Sequence, residues 1–541
     1  MTDNNGSSAP PHESPGVPLV VQVGFAGSRV LLDPAVYPDE TVRRFEDALE
    51  KQLRDRLKAL AHELDLTECH FFCGLSQLAV GADTIFTQAF QSLGWPQRFL
   101  LPQNRQDFLE AKGSNGVPDF TETQQRVARR LFESPHAIEE HVVSHSADRH
   151  RRFQDVNRVL IDISDVLVCL VGTTERDKAG GTRELIQAAA LHGRPVLELR
   201  IERSPDGLPL LQDEWHHRET FVRPGLPREL FDLRTTLTGI PLMDEYCQPL
   251  KSFASRVSKR RQRVFRLAAL VVIGAHLLAT GCAVAAIQKY GTAWLPLLLG
   301  AELLLLATGL AAHQHLHGSH MVKVWGMTRL VAETARSGLA LENVKGYLQH
   351  LFRLPLPECL QPLLQTLNVL HLRGTWSLRN GSWQERRARY LKERLDDRRS
   401  GQIPYYTGQL ARARMWQQAA GSTFLVCSIL AIAASLSELA LAFHWIRLNA
   451  EQHERYSPVF STLAIVLPVL AVGALSLAAS FDLEARVHTY AEMVDFLERQ
   501  ETRIQQADSE PAFHALAMET EQRLLGETAS WYARRAFINV T

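Results

Sequence analysis

"DVLVCLVGTTERDKAGGTRELIQAAALHGRPVLELRI", residues 165–201, decides the fold. Its first eight residues are an almost unbroken apolar run ending at Gly172, the composition of a strand buried on both faces. A polar loop follows and closes on Gly180, Gly181 and Thr182, after which Glu184 stands in the first turn of a helical stretch. "PVLELRI" is a second buried strand. A strand–helix–strand path of this length brings the chain back in the same direction, so the sheet it builds is parallel.

Outward from this unit the same alternation extends upstream to Leu19. "PLVVQVGFAG" reads as a strand entering a glycine turn and "ETVRRFEDALEKQLRDRLKALAHEL" has helical spacing. "ECHFFCG" is a buried strand, "AVGADTIFTQAFQSLG" a helix and "QRFLLP" a third strand. The expected fold is a Rossmann-like doubly wound α/β domain over residues 19–245, behind a polar Pro/Ser-rich leader at 1–18 that is expected to be disordered.

Three strand ends carry glycine-rich turns. The first offers Gly24, Gly27, Ser28 and Arg29; the second Gly74, Ser76, Gly81 and Asp83; the third Gly180, Gly181, Thr182 and Glu184. Helix N-termini after such turns present unpaired N–H groups to anions, so a pocket for a nucleotide-type ligand is expected where the turns converge. Asp83 and Glu184 either accept from ribose hydroxyls or answer the helix dipole alone. In "HSADRHRRFQDVNRVLIDISD", residues 145–165, Arg149 and Arg152 either reach an anionic ligand or form a solvated basic face.

These residues resemble the SLOG superfamily of Rossmann-like nucleotide-binding domains, which includes LOG phosphoribohydrolases, the DNA-processing protein A family and the N-terminal sensor of TRPM channels. "CGLSQLAVGADTIFTQAF" is similar to the family's second glycine loop and helix, and "DISDVLVCLVG…GGTRELIQAAALHGRPV" to its last strand–helix–strand unit. The resemblance implies a nucleotide- or NAD-derived small molecule as ligand, with no further cofactor. The enzyme branch carries GTxxE after a PGG turn. This chain reads GTRE without that proline, so Glu184 comes one residue early, about 100° around a helix. The departure favours a sensor over a hydrolase.

The second half is different in kind. Leu267–Ile287 carries no formal charge and is long enough to cross a hydrocarbon core of about 30 Å. Further apolar runs cover 294–312, 419–446 and 458–480, so a four-span all-α membrane domain is expected over 246–541, with cytosolic helices at 313–418 and 481–541. "RVSKRRQRVFR", residues 256–266, places six basic side chains ahead of the first span. By the positive-inside rule both termini face the cytoplasm, in a multi-pass protein of an inner membrane. His276, Glu302 and Glu438 are polar groups within the runs, and either line a polar path or are hydrogen-bonded inside a packed bundle. His313, His317 and His320 share one helical face but lack a neighbouring carboxylate or cysteine, so interfacial histidines are expected there rather than a metal site.

Two inward helices have marked faces: Trp325, Arg329 and Glu333 on one, and Glu521, Leu524, Glu527 and Trp531 on the other. With "RSGQIPYYTGQLARARMW", residues 399–416, the late Glu-and-Trp helix resembles SLATT modules, bacterial two-span units found beside nucleotide-signalling genes. The likeness covers about 395–541 and implies assembly into membrane pores.

The 59 basic and 59 acidic residues cancel, which argues against nucleic acid as a partner. The seven cysteines form no CxxC pair and are read as reduced and structural. The preferred expectation is a ligand-gated effector, homo-oligomeric in the bilayer, of the kind suited to bacterial antiphage defence. The alternatives are a membrane-anchored N-glycosidase using Glu184 or Asp83, and a regulated transporter or scaffold whose broken helix Pro468 would mark.

Overall fold

A computed structural model describes residues 16–32, 36–112, 116–172, 180–227, 230, 239–289, 291–318, 321–342, 344, 348, 354, 356–377, 382–398, 400–443, 445 and 449–537. The chain forms two compact units: residues 1–250 with 341–381, and residues 251–340 with 382–541.

The first unit is built on a seven-stranded sheet: β1 Leu19–Gly27, β2 His70–Ser76, β3 Gln97–Leu101, β4 Ala137–Val142, β5 Val166–Val171, β6 Val196–Arg203 and β7 Pro209–His216. Their spatial order is β4-β3-β2-β1-β5-β6-β7, with all pairs parallel except β6–β7. The order reverses between β1 and β5, the switch point at which doubly wound sheets bind ligands.

The unbroken apolar character of β5 has a direct cause. Val166, Val168 and Leu170 face helices α1 (Asp39–Glu63) and α2 (Ala82–Ser92), while Leu167, Cys169 and Val171 face the opposite layer. A third core under α3 (Arg105–Leu109) and α4 (Glu122–Phe132) gathers Phe99, Phe108, Phe120 and Phe132. The opposite layer is α5 (Arg149–Ile163) and α6 (Thr182–Leu191). Along α1, Phe45, Leu49, Leu53, Leu57 and Leu60 repeat at three and four and are all buried.

Strands β4 and β7 lack the apolar runs of the other five. In β4, Glu139 is 3% exposed and bound by Arg98 of β3, whose Nη1 also donates to Gln22 Oε1 at 2.8 Å. In β7 the residues are those of an antiparallel edge facing water.

Two helices from later in the chain also belong to this unit. β1 extends past the start of β5, leaving Val20 N–H without a strand partner on that side. Thr366 Oγ1 of α10 (Gln361–Ser377) accepts it at 2.9 Å. Residues 341–381, expected among the helices of the membrane half, therefore group with the sheet. Helix α7 (Met243–Gln288) begins here too: the fully buried Tyr246 donates its hydroxyl to Pro18 O at 2.9 Å.

The second unit is all helical. Four helices are long and apolar enough to span a membrane: α7, α8 (Leu295–Gly318), α12 (Gln402–Ala442) and α13 (Ala450–Ser480). Leu303, Leu304, Ile432 and Val472 are among the large apolar side chains they expose, the surface a hydrocarbon core covers. Helix α13 runs on through Pro458 and Pro468, so the break that Pro468 suggested is not there. The remaining elements are α9 (Met321–Leu341), α11 (Trp383–Tyr390) with a π turn at Leu391–Asp396, α14 (Leu483–Gln505) and α15 (Glu510–Phe537).

Candidate functional site

The loops after β1 and β5 meet at the switch point. Ser28 N–H donates to Leu170 O at 2.9 Å, and the Ser28 hydroxyl accepts Gly172 N–H at 2.7 Å. The loop after β2 closes on the same place. Gly81 has a φ of +88°, and a Cβ there would stand 2.3 Å from Arg29 O. A Cβ at Gly27 would meet Ala82 Cβ at 2.3 Å. Ala82 N–H donates to Ser28 O at 3.1 Å.

These contacts redistribute the twelve candidate residues. Gly27, Ser28 and Gly81 lock the first two loops together, using donors that a phosphate would have needed. Gly24 and Gly74 lie inside strands, where a Cβ would meet Ser164 Oγ at 2.1 Å and the Phe90 ring at 2.9 Å. Their absent side chains serve helix–sheet packing. Ser76 is fully buried and hydrogen-bonded to Thr87 at 3.3 Å and Gln97 at 2.9 Å.

Asp83 lies beneath the mouth, 3% exposed, and accepts Ala79 N–H at 3.2 Å. Burial pushes its carboxyl up to about 7, against the lowering effect of backbone N–H groups of Ala79, Gly27 and Gln77 and the charge of Arg29. At the third turn Gly180 has a φ of +77° and packs against Phe153. Glu184 accepts from Gly180 N–H and from Gln154 Nε2, the latter at 2.9 Å, so its carboxylate braces the turn. Gly181 caps α6 without a side-chain hydrogen bond, and Thr182 opens the helix, 5% exposed.

Among the described residues two of the candidate cations, Arg29 and Arg149, lie at the mouth. Arg29 lies 4.9 Å from the Phe153 ring centre and 3.7 Å from Asp119. Arg149, on α5, lies 6.0 Å from the same ring, is salt-bridged to Asp119 and donates to Lys112 O at 2.7 Å. Arg152 turns to Gln103 instead. Residues 173–179, between β5 and this turn, lie outside the described residues.

Sequence reading missed Asp119, Phe153, Gln77 and Asn157. Asn157 donates to Gly180 O at 3.2 Å and accepts from Gln77 at 3.0 Å, tying the second turn to the third. A buried asparagine within a helix is a poor helix former, and that was the available signal.

Searched against protein-family models the chain matches none, and a search of curated proteins finds no relative. The site therefore rests on geometry.

Elsewhere in the sheet unit, Glu198, Glu214 and His216 offer ligand atoms within 4.8 Å of one another. Arg200 already bridges both carboxylates, at 2.8 and 2.6 Å, which makes the group a cross-strand ion-pair ladder. None of the seven cysteines forms a disulfide, and burial pushes the Cys73 thiol up to about 12.

Within the apolar helices, Glu438 accepts from Ser461 Oγ at 2.8 Å, linking α12 to α13. His276 Nδ1 bonds Val272 O at 2.8 Å, and its ring fills the space beside Gly309 of α8. Glu302 is half-buried on α8. His313 is exposed, while the His317 side chain and His320 lie outside the described residues.

The two marked faces of the inward helices meet each other. Arg329 reaches Glu527 at 3.3 Å and stacks 4.8 Å from the Trp531 ring, and Trp325 packs edge-on against Trp531 with centroids 4.8 Å apart. Arg394 forks onto Glu521 at 2.7 and 2.6 Å and touches Glu333 at 3.4 Å. The Tyr390 hydroxyl donates to Glu521 at 2.8 Å.

Proposed function

We propose that this chain is a ligand-responsive membrane effector in which a nucleotide-type phosphate compound binds at the switch point and the four apolar helices answer by assembling or opening. The observation that carries this reading is the pair Arg29 and Arg149, set about Phe153 beside the uncapped N-terminus of α6. Guanidinium groups and a helix N-terminus favour phosphate, and an aromatic face suits a base or a sugar. The ligand class is a nucleotide or an NAD-derived molecule.

Transmission has a covalent route. Strand β1 ends at Gly27 and leads directly into Ser28 and Arg29, and Pro18, just before its start, holds Tyr246 of α7. The same helix continues to Gln288 as the first apolar segment. A ligand that binds one state of this connection more tightly shifts the population toward it. Hydrolysis is less well supported, because the Glu184 carboxylate is engaged in bracing Gly180. An inner-membrane location with both termini cytoplasmic, a homo-oligomeric pore and a role in bacterial antiphage defence complete the proposal.

Dye release from vesicles holding the full chain tests it. Release is expected with one class of nucleotide and not from Arg29→Ala/Arg149→Ala protein. A ligand that binds but releases no dye contradicts the gating, and free base appearing on incubation favours the hydrolase.

A further inference from the structure

Helix α7 carries six basic side chains between Arg256 and Arg266, and from Tyr246 to Ala301 the chain has neither Asp nor Glu. Five of the six, Arg256, Lys259, Arg260, Arg263 and Arg266, are exposed. At about 100° per residue these five fall within about 120° of the helix circumference. Arg261 lies off that stripe and is half-buried. On the opposite side Ala254 and Ser258 are buried, and the Phe265 ring lies 5.6 Å from that of Trp325 on α9. The stripe therefore faces away from the side by which α7 packs.

Topology does not require this arrangement. The positive-inside rule counts charges near the end of a span and is indifferent to the face they occupy. The same side also continues into the apolar segment, where Leu267, Leu270 and Leu278 are exposed. A helix side that is basic at one level and apolar at the next matches an anionic amphiphile lying along it. The dimensions agree. The headgroup layer on each face of a bilayer is about 5–8 Å thick. Arg266 and Arg263 stand about 1.5 and 6 Å along the helix from Leu267. Arg260 and Lys259, at about 10–12 Å, reach the layer with their flexible stems. Arg256 lies within a Debye length of it, about 8–10 Å.

We infer that this side of α7 binds an anionic phospholipid, with phosphate oxygens on the guanidinium groups of Arg260, Arg263 and Arg266 and acyl chains along Leu267, Leu270 and Leu278. The inference rests on one part of the function proposed above, that α7 crosses a bilayer, and is independent of any ligand at the sheet.

The test is native mass spectrometry of the full chain, delipidated in detergent and titrated separately with phosphatidylglycerol and with phosphatidylcholine of the same acyl chains. The wild-type protein is expected to bind phosphatidylglycerol at least ten-fold more tightly, a comparison that needs no variant. Arg260→Gln/Arg263→Gln is expected to lose most of that preference. Of two variants matched in charge, Arg263→Gln is expected to bind phosphatidylglycerol several-fold less tightly, while Arg261→Gln, off the stripe, binds it as the wild type does. Equal affinity of the wild type for the two lipids overturns the inference, as does an equal loss in Arg261→Gln and Arg263→Gln. So does displacement of the lipid by an equal concentration of inorganic phosphate, which marks a free-anion site. Release of the chain from membranes by alkaline carbonate would remove the membrane reading itself, and the inference with it.

Discussion

The sheet unit and the inward helices both gather arginines, but they close their charge differently. At the switch point Arg29 and Arg149 both bridge Asp119, the one acid salt-bridged to them among the described residues, with the buried Asp83 also near Arg29. Among the helices Arg329, Arg336 and Arg394 stand against Glu333, Glu521 and Glu527, three cations to three anions. Glu521 is fully buried and Arg394 nearly so. A balanced buried set holds elements together, whereas Arg29 and Arg149 lie partly exposed at the mouth of the sheet. The first arrangement is structural, and the second is the one proposed to bind a ligand.

The comparison is broken most severely at Glu521. Glu521→Gln leaves Arg394 buried against a neutral amide and is expected to cost about 3–5 kcal/mol, read as a lowered thermal midpoint of the full chain in detergent. A change below about 1 kcal/mol would show that water already screens the network.

At the sheet the corresponding weak point is backbone. Gly81→Ala puts a Cβ against Arg29 O at a left-handed φ, and a loss of about 1–3 kcal/mol is expected, with Arg29 displaced. Denaturant unfolding measures the first, and loss of ligand affinity the second. An unchanged midpoint would mean that the first two loops are not locked together.

Asp83 sharpens the comparison through its pH dependence. Its pKa rises from 3.8 to about 7 on folding, so the folded state binds the extra proton. The contribution is fully present below about pH 4, declines as pH rises to about 7 and is flat above that. Asp83→Asn is therefore expected to gain stability relative to wild type across that window, measured by melts at several pH values. A constant difference would place the Asp83 carboxyl in water.

The apolar cores were legible because burial writes itself into composition. All five strands named from apolar runs exist, and the four long helices coincide with the four apolar segments. β4 was hidden because Glu139 is buried by ion pairing with Arg98, and β7 because it lies at an edge. α10 was misplaced because nothing local in its residues announces that Thr366 completes β1. The glycine turns were legible as turns but not in their use. Gly24 and Gly74 look like Gly27 in sequence, yet they make room for Ser164 and Phe90 inside the sheet. In the helices, spacing at three and four predicted each marked face, and the structure supplied the partner: Arg329 with Glu527 and Trp531.

The central claim is the proposal that Arg29 and Arg149 at the switch point bind a phosphate-bearing metabolite. Isothermal titration of the full chain in detergent with a panel of nucleotides and NAD-derived compounds tests it most directly. The account predicts saturable heat with at least one of them and at least a ten-fold weaker affinity for Arg29→Ala, the loss of a charged hydrogen bond worth about 1.5–3 kcal/mol. No heat across the panel, or equal affinity in the variant, would contradict it.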